Sequence, residues 1–250
     1  MTDLVSFAPG GYNFIPGVFQ YSAGVRADDG FEIVRVRLRE PLPLAQAIPV
    51  VEAHLATERR SPASFCACEL RSPAPFAEDG FAAFNRQYVG LLDRWGLIRD
   101  GVNPVARTNV CPKVAPPGEV SLYAFCYTRP KLASGPGGFV VAGSGEAPEG
   151  RGNYRDHAIR VGDRSAEGLT AKARWVLGEM ERRMTALGAG WADTTGTHLY
   201  TVYDIHPFLE TEIVARGASR SGLSWHFARP PVVDLDYEMD VRGVGCELVI

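Results

Sequence analysis

The sequence "APPGEVSLY" at residues 115–123 recurs in altered form as "RPPVVDLDY" at residues 229–237, and this recurrence decides how the 250-residue chain is organised. In both stretches a Pro-Pro turn comes before an apolar segment that ends in a tyrosine. A turn motif that occurs once in each half of a chain indicates an internal repeat. The repeat predicts that the same order of strands and helices comes before each stretch.

The first half is predicted to contain strand, helix, strand, helix, strand, turn and strand. Apolar and polar residues alternate over 31–38, which is typical of a strand. The aromatic residues of 78–96 recur at helical spacing up to a terminal Gly96. The remaining predicted elements are a helix at 44–58 and strands at 62–71, 105–114 and 119–128.

The second half has a similar predicted order. The clearest helix of the chain runs from Ser165 to Gly188, with apolar residues along one face. The other predicted elements are a helix at 205–217 and strands at 137–145, 192–204, 223–231 and 232–241. A joint rich in Pro and Gly, "TRPKLASGPGG" at 128–138, separates the halves. The sequence therefore predicts an α+β protein of two modules, residues 1–130 and 131–250.

The composition is that of an ordinary globular protein, with 46% apolar and 22% charged residues. The formal net charge of −3 argues against nucleic-acid binding through overall charge, because such domains carry a basic excess. We find neither an apolar run long enough to span a membrane nor a signal peptide at the start of the sequence. We therefore expect a cytoplasmic protein without a membrane or nucleic-acid partner.

The five cysteines are an odd number, which argues against a disulfide framework. Cys66 and Cys68 lie two apart on a predicted strand, so both thiols can point to one face. Zinc would need two further ligands, and no second Cys/His pair at metal spacing is present. We interpret these cysteines as packing residues and predict no metal site.

The loop in "FVVAGSGEAPEGRGNYRDH" (139–157) is dense in charged and hydrogen-bonding groups, as phosphate-binding and catalytic loops are. Gly143 and Gly145 are not followed by the third glycine of a dinucleotide fingerprint or by Gly-Lys-Ser/Thr. The next predicted helix begins only at Ser165, too far away to point its N-terminus at the loop. The sequence therefore predicts no nucleotide site here.

Several motifs, in the same order along the chain, resemble the RidA (YjgF) superfamily. The segment "KLASGPGGFVVAGSGEAPE" is similar to the strand that opens the family's module, and "HLYTVYDIHPF" to its second strand and the helix after it. In the first half, "FAAFNRQYVGLL" is similar to a family helix. The stretch "ARTNVCPKVAPP" resembles the strand that carries the family's substrate-binding arginine, which falls on Arg107.

This resemblance implies tandem modules of chorismate-mutase-like or ferredoxin-like fold, each a mixed sheet with two helices on one face. Members of the family assemble as trimers with sites between neighbouring modules. Their characterised activity is the hydrolysis of reactive enamines and imines to ketones and ammonia, without a cofactor. The resemblance thus implies a hydrolytic deaminase that needs no cofactor and forms a homo-oligomer, with a trimer expected.

Neither half keeps all of the family's site residues. The first half retains Arg107 and Asn85, but "VRLREPLP" stands where the family has its Ser-Gly loop. The second half retains Ser144 and Gly145 and carries Glu238 on its last strand, but it lacks the arginine near 222–224. The halves look complementary, so we expect a complete site where one half meets the other, in the same chain or in a neighbouring one.

Enamine hydrolysis needs a cation for a carboxylate, a proton donor and an aimed water. Arg107 suits the carboxylate, because a guanidinium can bind it with two hydrogen bonds. Glu146 is the predicted general acid–base, and Glu238 is predicted to position the water. The remaining predicted substrate-binding residues are Ser144, Gly145, Tyr154, Arg155, His157, His226, Arg229 and Asn85, of which Arg155 or Arg229 would hold a second carboxylate.

The predicted substrate is a small unsaturated amino acid, and the several arginines favour a dicarboxylate. Within the superfamily, deaminases of 2-aminomuconate and 2-amino-5-chloromuconate, from aromatic ring degradation, fit such a substrate. Two alternatives remain open at this point. One is a chorismatase-like hydrolase on the same scaffold, which would release pyruvate instead of ammonia. The other is a non-enzymatic protein that binds a small acid.

Overall fold

The computed structural model describes residues 4–132, 134–151 and 153–250, and it contains two β-sheets with helices packed on them. The helices are α1 (Leu44–Thr57), α2 (Glu78–Arg94), α3 (Ala166–Ala186) and α4 (His206–Phe208). The strands of the first half are β4 (Phe31–Pro43), β5 (Phe65–Arg71), β6 (Ala106–Pro112) and β7 (Ser121–Pro130), preceded by β1 (Val5–Phe7), β2 (Tyr12–Ile15) and β3 (Gly24–Ala27). The strands of the second half are β8 (Phe139–Gly145), β9 (Gly196–Tyr200), β10 (Leu223–His226), β11 (Ala228–Arg229), β12 (Glu238–Gly243) and β13 (Cys246–Val249).

The two halves share one topology, so the predicted α+β repeat is confirmed. In the first half the strands lie in the order β4-β7-β5-β6, and in the second in the order β8-β12-β9-β10. In each half the second and third strands are parallel, and the last strand is inserted antiparallel between the first and the second. The two strands that flank each Pro-Pro turn are therefore never neighbours in a sheet.

The registers show which residues of the two halves occupy equivalent positions. In the first half, Arg107 of β6 pairs with Cys68 of β5. The equivalent position in the second half is Trp225 of β10, which pairs with Leu199 of β9. The sequence predicted that the missing arginine belongs near 222–224. The register instead puts the position equivalent to Arg107 at Trp225, just after that range. Similarly, Glu238 of β12 corresponds to Ala124 of β7.

Edge strands are exchanged between the halves. Strands β1 to β3 extend the sheet of the second half, because β3 pairs with β8. Conversely, β13 pairs with β4 and β11 pairs with β6, so both extend the sheet of the first half. Strands from each side of the predicted boundary at 130/131 thus join the sheet of the other half.

The helix predicted at 44–58 forms as α1, although Pro49 lies inside it, beyond its first turn. Several predicted elements of the second half differ from the observed ones. The helix predicted at 205–217 is a single α-turn followed by a π-helical turn at Leu209–Val214, with Pro207 at its start. The strand predicted at 192–204 is shorter, because a 3₁₀ turn occupies Trp191–Asp193. No helix within the described residues is long and apolar enough to cross a membrane.

An ion-pair network joins the two sheets. Arg35 of β4 binds both carboxylate oxygens of Glu69, at 2.6 and 3.0 Å, and reaches Glu247 at 3.1 Å. Glu247 also accepts a hydrogen bond from Arg242 of β12 at 2.8 Å. Burial alone would raise the pKa of Glu69, but the charge and hydrogen bonds of Arg35 outweigh it and hold that pKa well below its ordinary value.

We predict that Glu69→Ala lowers the free energy of unfolding by about 3–5 kcal/mol at neutral pH, because it leaves the Arg35 guanidinium buried without its main partner. Urea denaturation measures this loss. The control is Glu32→Ala, which breaks the more exposed pair with Arg129 and should cost no more than about 1 kcal/mol.

The lowered pKa of Glu69 also determines how the free energy of unfolding depends on pH. The stabilisation by Glu69 is present above the ordinary glutamate pKa and is lost as the pH falls toward the pKa of the folded state. The stability difference between wild type and Glu69→Ala should therefore shrink in acid. A difference that stays constant down to acid unfolding would contradict this assignment.

Candidate active site

A small cavity lies where the two halves meet. It has a volume of about 30 Å³, enough for one or two water molecules. Its walls come from β6 of the first half and from β8 and β12 of the second, and the loop after β8 covers it. Arg107, Asn109, Ser144, Gly145 and Glu238 all line it. Residues that the sequence predicted for one site thus line a single cavity whose walls come from both halves of one chain.

Arg107 reaches this cavity as a buried cation, and no acid among the described residues lies within ion-pair distance of it. Its side chain leaves β6 among aromatic rings, with its guanidinium carbon 4.8 Å from the ring centre of Tyr88, 5.2 Å from Tyr21, 5.6 Å from Phe84 and 5.7 Å from Phe81. The residue is 3% exposed, and its Nη1 atom has no hydrogen-bond partner among the described residues. A buried unpaired charge is costly, so this arrangement suits an anionic ligand.

Asn109 provides a second unused donor on the same strand. It lies two residues after Arg107, so the two side chains share one face of β6. Its Oδ1 atom accepts a hydrogen bond from the Ser72 hydroxyl at 2.9 Å, which fixes the amide with Nδ2 free. That Nδ2 atom is buried and finds no partner in the part of the chain that the structure describes. Sequence analysis missed Asn109, although its spacing from Arg107 was a usable signal.

Glu238 faces the cavity from β12, next to Gly145 of β8. It is 4% exposed, and burial raises its pKa well above the ordinary value. The negative charges of Asp240 and Glu146 act in the same direction, and Arg107 opposes them only in part. Burial thus favours the protonated form of Glu238, in which a carboxylic acid can donate its proton.

The Gly-Ser-Gly sequence of β8 makes room for this acid. A Cβ atom on Gly143 would lie 2.3 Å from Oε1 of Glu238, and one on Gly145 would lie 2.8 Å from the Leu235 side chain. Between them, Ser144 is 3% exposed and lines the cavity. The predicted Ser144 and Gly145 thus lie beside Glu238, where only small residues let a ligand approach the backbone.

The loop after β8 covers the cavity with Tyr154. The Tyr154 backbone N–H donates to Glu78 of α2 at 2.6 Å, and its ring meets Phe81 edge-on at 6.2 Å. Burial raises the pKa of Tyr154 to about 12, so its hydroxyl stays protonated. Tyr154 was predicted as a substrate-binding residue, and the structure places it in the cavity wall.

Glu146 lies outside the cavity. Its carboxylate accepts backbone hydrogen bonds from Asp236 at 2.7 Å and Tyr237 at 3.0 Å, and an ion pair with Lys172 of α3 at 3.2 Å. The residue is completely buried. Its oxygens are occupied in joining the end of β8 to the segment before β12. The geometry thus gives Glu146 a structural role, whereas the sequence predicted a general acid–base.

The predicted second-carboxylate residues also lie away from the cavity. Arg229 pairs with Asp236 at 3.1 Å, and Arg155 is exposed on the loop, as is His157. His226 contacts a second histidine, His198, with 2.9 Å between ring nitrogens.

His226 and Asn85 complete the predicted set. Burial, and then the neighbouring His198, lowers the pKa of His226 to about 4, so that ring is neutral at physiological pH. Asn85 of α2 lines an adjoining cavity of about 480 Å³, which shares Phe81 and Tyr154 with the smaller one.

Cys66 and Cys68 are buried, and the described residues hold no cluster of potential metal ligands.

We predict that Glu238→Gln stabilises the fold. A carboxyl group whose pKa is raised on folding makes the protein less stable as the pH rises above the ordinary glutamate range. Relative to wild type, the free energy of unfolding of the variant should rise by up to about 1.4 kcal/mol for each pH unit above that range, until the pKa of Glu238 in the folded state is reached.

Urea denaturation of both proteins at acid and at mildly alkaline pH measures this gain. Equal stabilities at every pH would show that Glu238 ionises normally in the folded protein and cannot be the proton donor.

Comparisons with known proteins give a consistent result. Residues 4–248 match the family described as "2-aminomuconate deaminase CnbZ". The chain is 50% identical, over 251 residues and the full length of both proteins, to the 2-amino-5-chloromuconate deaminase of Comamonas testosteroni. A chorismatase crystal structure shares the fold at 15% identity and a TM-score of 0.52, over 89% of this chain and 77% of that one. The YjgF protein of E. coli matches with 19% identity and a TM-score of 0.32, over 46% of this chain and 84% of that one.

Proposed function

The chain belongs to the 2-aminomuconate deaminase family, and we propose that it is a cofactor-independent hydrolytic deaminase of an enamine dicarboxylate of the 2-aminomuconate class. The observation that carries the proposal is a single cavity lined by Arg107, whose Nη1 atom has no partner among the described residues, and by Glu238, a buried acid whose pKa is raised by burial. Together they match a substrate that combines a carboxylate with a carbon atom to be protonated.

Binding begins at β6. The carboxylate next to the amino group accepts hydrogen bonds from the Nη1 atom of Arg107 and from the Nδ2 atom of Asn109, two buried atoms without a partner in the described part of the chain. A charged hydrogen bond to guanidinium is among the stronger kinds, and aromatic rings keep water from the Arg107 side chain. This contact fixes the amino-bearing carbon within the cavity.

Glu238 then supplies the proton. Its O–H bond breaks, the proton joins the enamine carbon, and the electron pair of the amino nitrogen forms a C=N bond. The product is an iminium ion beside the Glu238 carboxylate, so the charge created in the substrate is neutralised by the charge left on the acid. The raised pKa of Glu238 provides the protonated form that this step needs.

Water completes the reaction. It adds to the iminium carbon, and the resulting carbinolamine loses ammonia. As the C=O bond forms, the hydroxyl proton returns to Glu238 and restores the acid. The sum of the steps is enamine plus water giving ketone plus ammonia, and no electron acceptor is consumed.

We predict that Arg107→Ala lowers kcat/KM for ammonia release from 2-aminomuconate by about 100-fold or more, because a charged hydrogen-bonded contact to a carboxylate is lost. Coupled detection of ammonia measures the rate. Arg155→Ala is the matched control, because it removes an exposed arginine that does not line the cavity, and it should retain wild-type activity.

Three results would change the proposal. Release from 2-aminoacrylate but not from 2-aminomuconate would contradict the dicarboxylate substrate. Pyruvate release from an enol ether, without ammonia from any enamine, would indicate a chorismatase-like hydrolase, since a buried acid can also protonate that substrate. Binding of 2-aminomuconate without turnover would indicate a protein that only recognises small acids.

A further inference from the structure

A second carboxylate, Glu149, lines the same cavity as Glu238. Its Oε1 atom accepts two hydrogen bonds, from the Tyr21 hydroxyl at 2.8 Å and from the Arg183 guanidinium at 2.8 Å. Within the described residues, no group donates a hydrogen bond to its Oε2 atom. One oxygen thus anchors the side chain, and the other is available to a molecule in the cavity.

The anchor comes from deep in the protein. Arg183 of α3 is 1% exposed, and it also contacts the carbonyl of Ala142 at 3.3 Å and the hydroxyl of Ser144 at 3.4 Å. The buried Arg183 guanidinium is a cation, so it holds the Glu149 carboxylate in place by an ion pair as well as a hydrogen bond. The Tyr21 hydroxyl reinforces this, because burial raises its pKa and keeps it a donor.

Glu149 and Glu238 therefore lie in one cavity in opposite electrostatic surroundings. Glu149 is paired with a cation, whereas among the described residues no cation lies within ion-pair distance of Glu238, and burial raises the pKa of Glu238. Two carboxyl groups whose surroundings favour opposite charge states form an acid–base pair. The sequence showed both acids but gave no sign that Arg183, 34 residues from Glu149, distinguishes them.

We propose that Glu149 is the catalytic base that takes a proton from the attacking water. This assignment rests on the deaminase function proposed above. The free Oε2 atom accepts the proton as the water oxygen bonds to the iminium carbon. Glu149 then passes that proton to the amino nitrogen, the C–N bond breaks, and ammonia leaves. Both acids end each cycle in their starting states.

The test uses two substitutions of Glu149 and one control. Glu149→Gln keeps the size of the side chain and an oxygen for Tyr21 and Arg183, but it removes the basic oxygen. Glu149→Ala opens space in which added formate can serve as the base. Glu179→Gln is the matched control, because Glu179 also contacts Arg183, at 3.6 Å, and does not line the cavity.

We expect Glu149→Gln to lower kcat for ammonia release by about 100- to 1,000-fold, with KM changed much less. Formate should restore part of the activity of Glu149→Ala in proportion to its concentration, and Glu179→Gln should stay near wild type. Formate should leave the rate of Glu149→Gln unchanged, because that side chain still fills the space.

Two outcomes would overturn the assignment. Glu149→Gln with nearly wild-type kcat would show that the carboxylate takes no proton. A loss confined to KM and thermal stability, without rescue by formate, would show that Glu149 only holds the loop over the cavity. Ammonia release that is absent from wild type and Glu179→Gln alike would instead contradict the proposed deaminase function, and with it the role of Glu149.

Discussion

The rest of the site depends on a buried arginine that has no anion within ion-pair distance among the residues that the structure describes. Arg107 extends from an edge strand of one repeat into the junction with the other, and aromatic rings surround its guanidinium. Such a charge is tolerable only if a ligand completes it or the surrounding fold is stable enough to bear the cost. The exchange of edge strands and the network around Arg35 and Glu69 hold the two sheets together and supply that stability.

The internal repeat produces one complete site within the chain. At the position equivalent to Arg107 the second half has Trp225, which is 40% exposed. At the position equivalent to Glu238 the first half has Ala124. In the proposed site, the first repeat thus supplies the cation and the second repeat supplies the acid.

Much of this arrangement could be predicted from the sequence, because it depends on local patterns. The order of strands and helices follows from periodicity, and Arg107, Ser144 and Glu238 follow from motifs on individual strands. The position of Glu146 outside the cavity could not be predicted, because its carboxylate forms an ion pair with Lys172, which lies on a helix later in the chain. Glu149 poses the same problem, because its role depends on a buried partner elsewhere in the chain. The exchanged edge strands are likewise pairings between distant segments, which no local pattern specifies.

The central claim is that one chain supplies both Arg107 and Glu238 to a single site. Its most direct test is to co-express Arg107→Ala with Glu238→Gln, so that any oligomer that forms can contain chains of both variants, and to measure ammonia release from 2-aminomuconate. If the site forms within one chain, every site in the mixture lacks one group, and activity should equal the sum of the two variants measured separately. Activity clearly above that sum would show that the site is shared between chains and would contradict the structure described here.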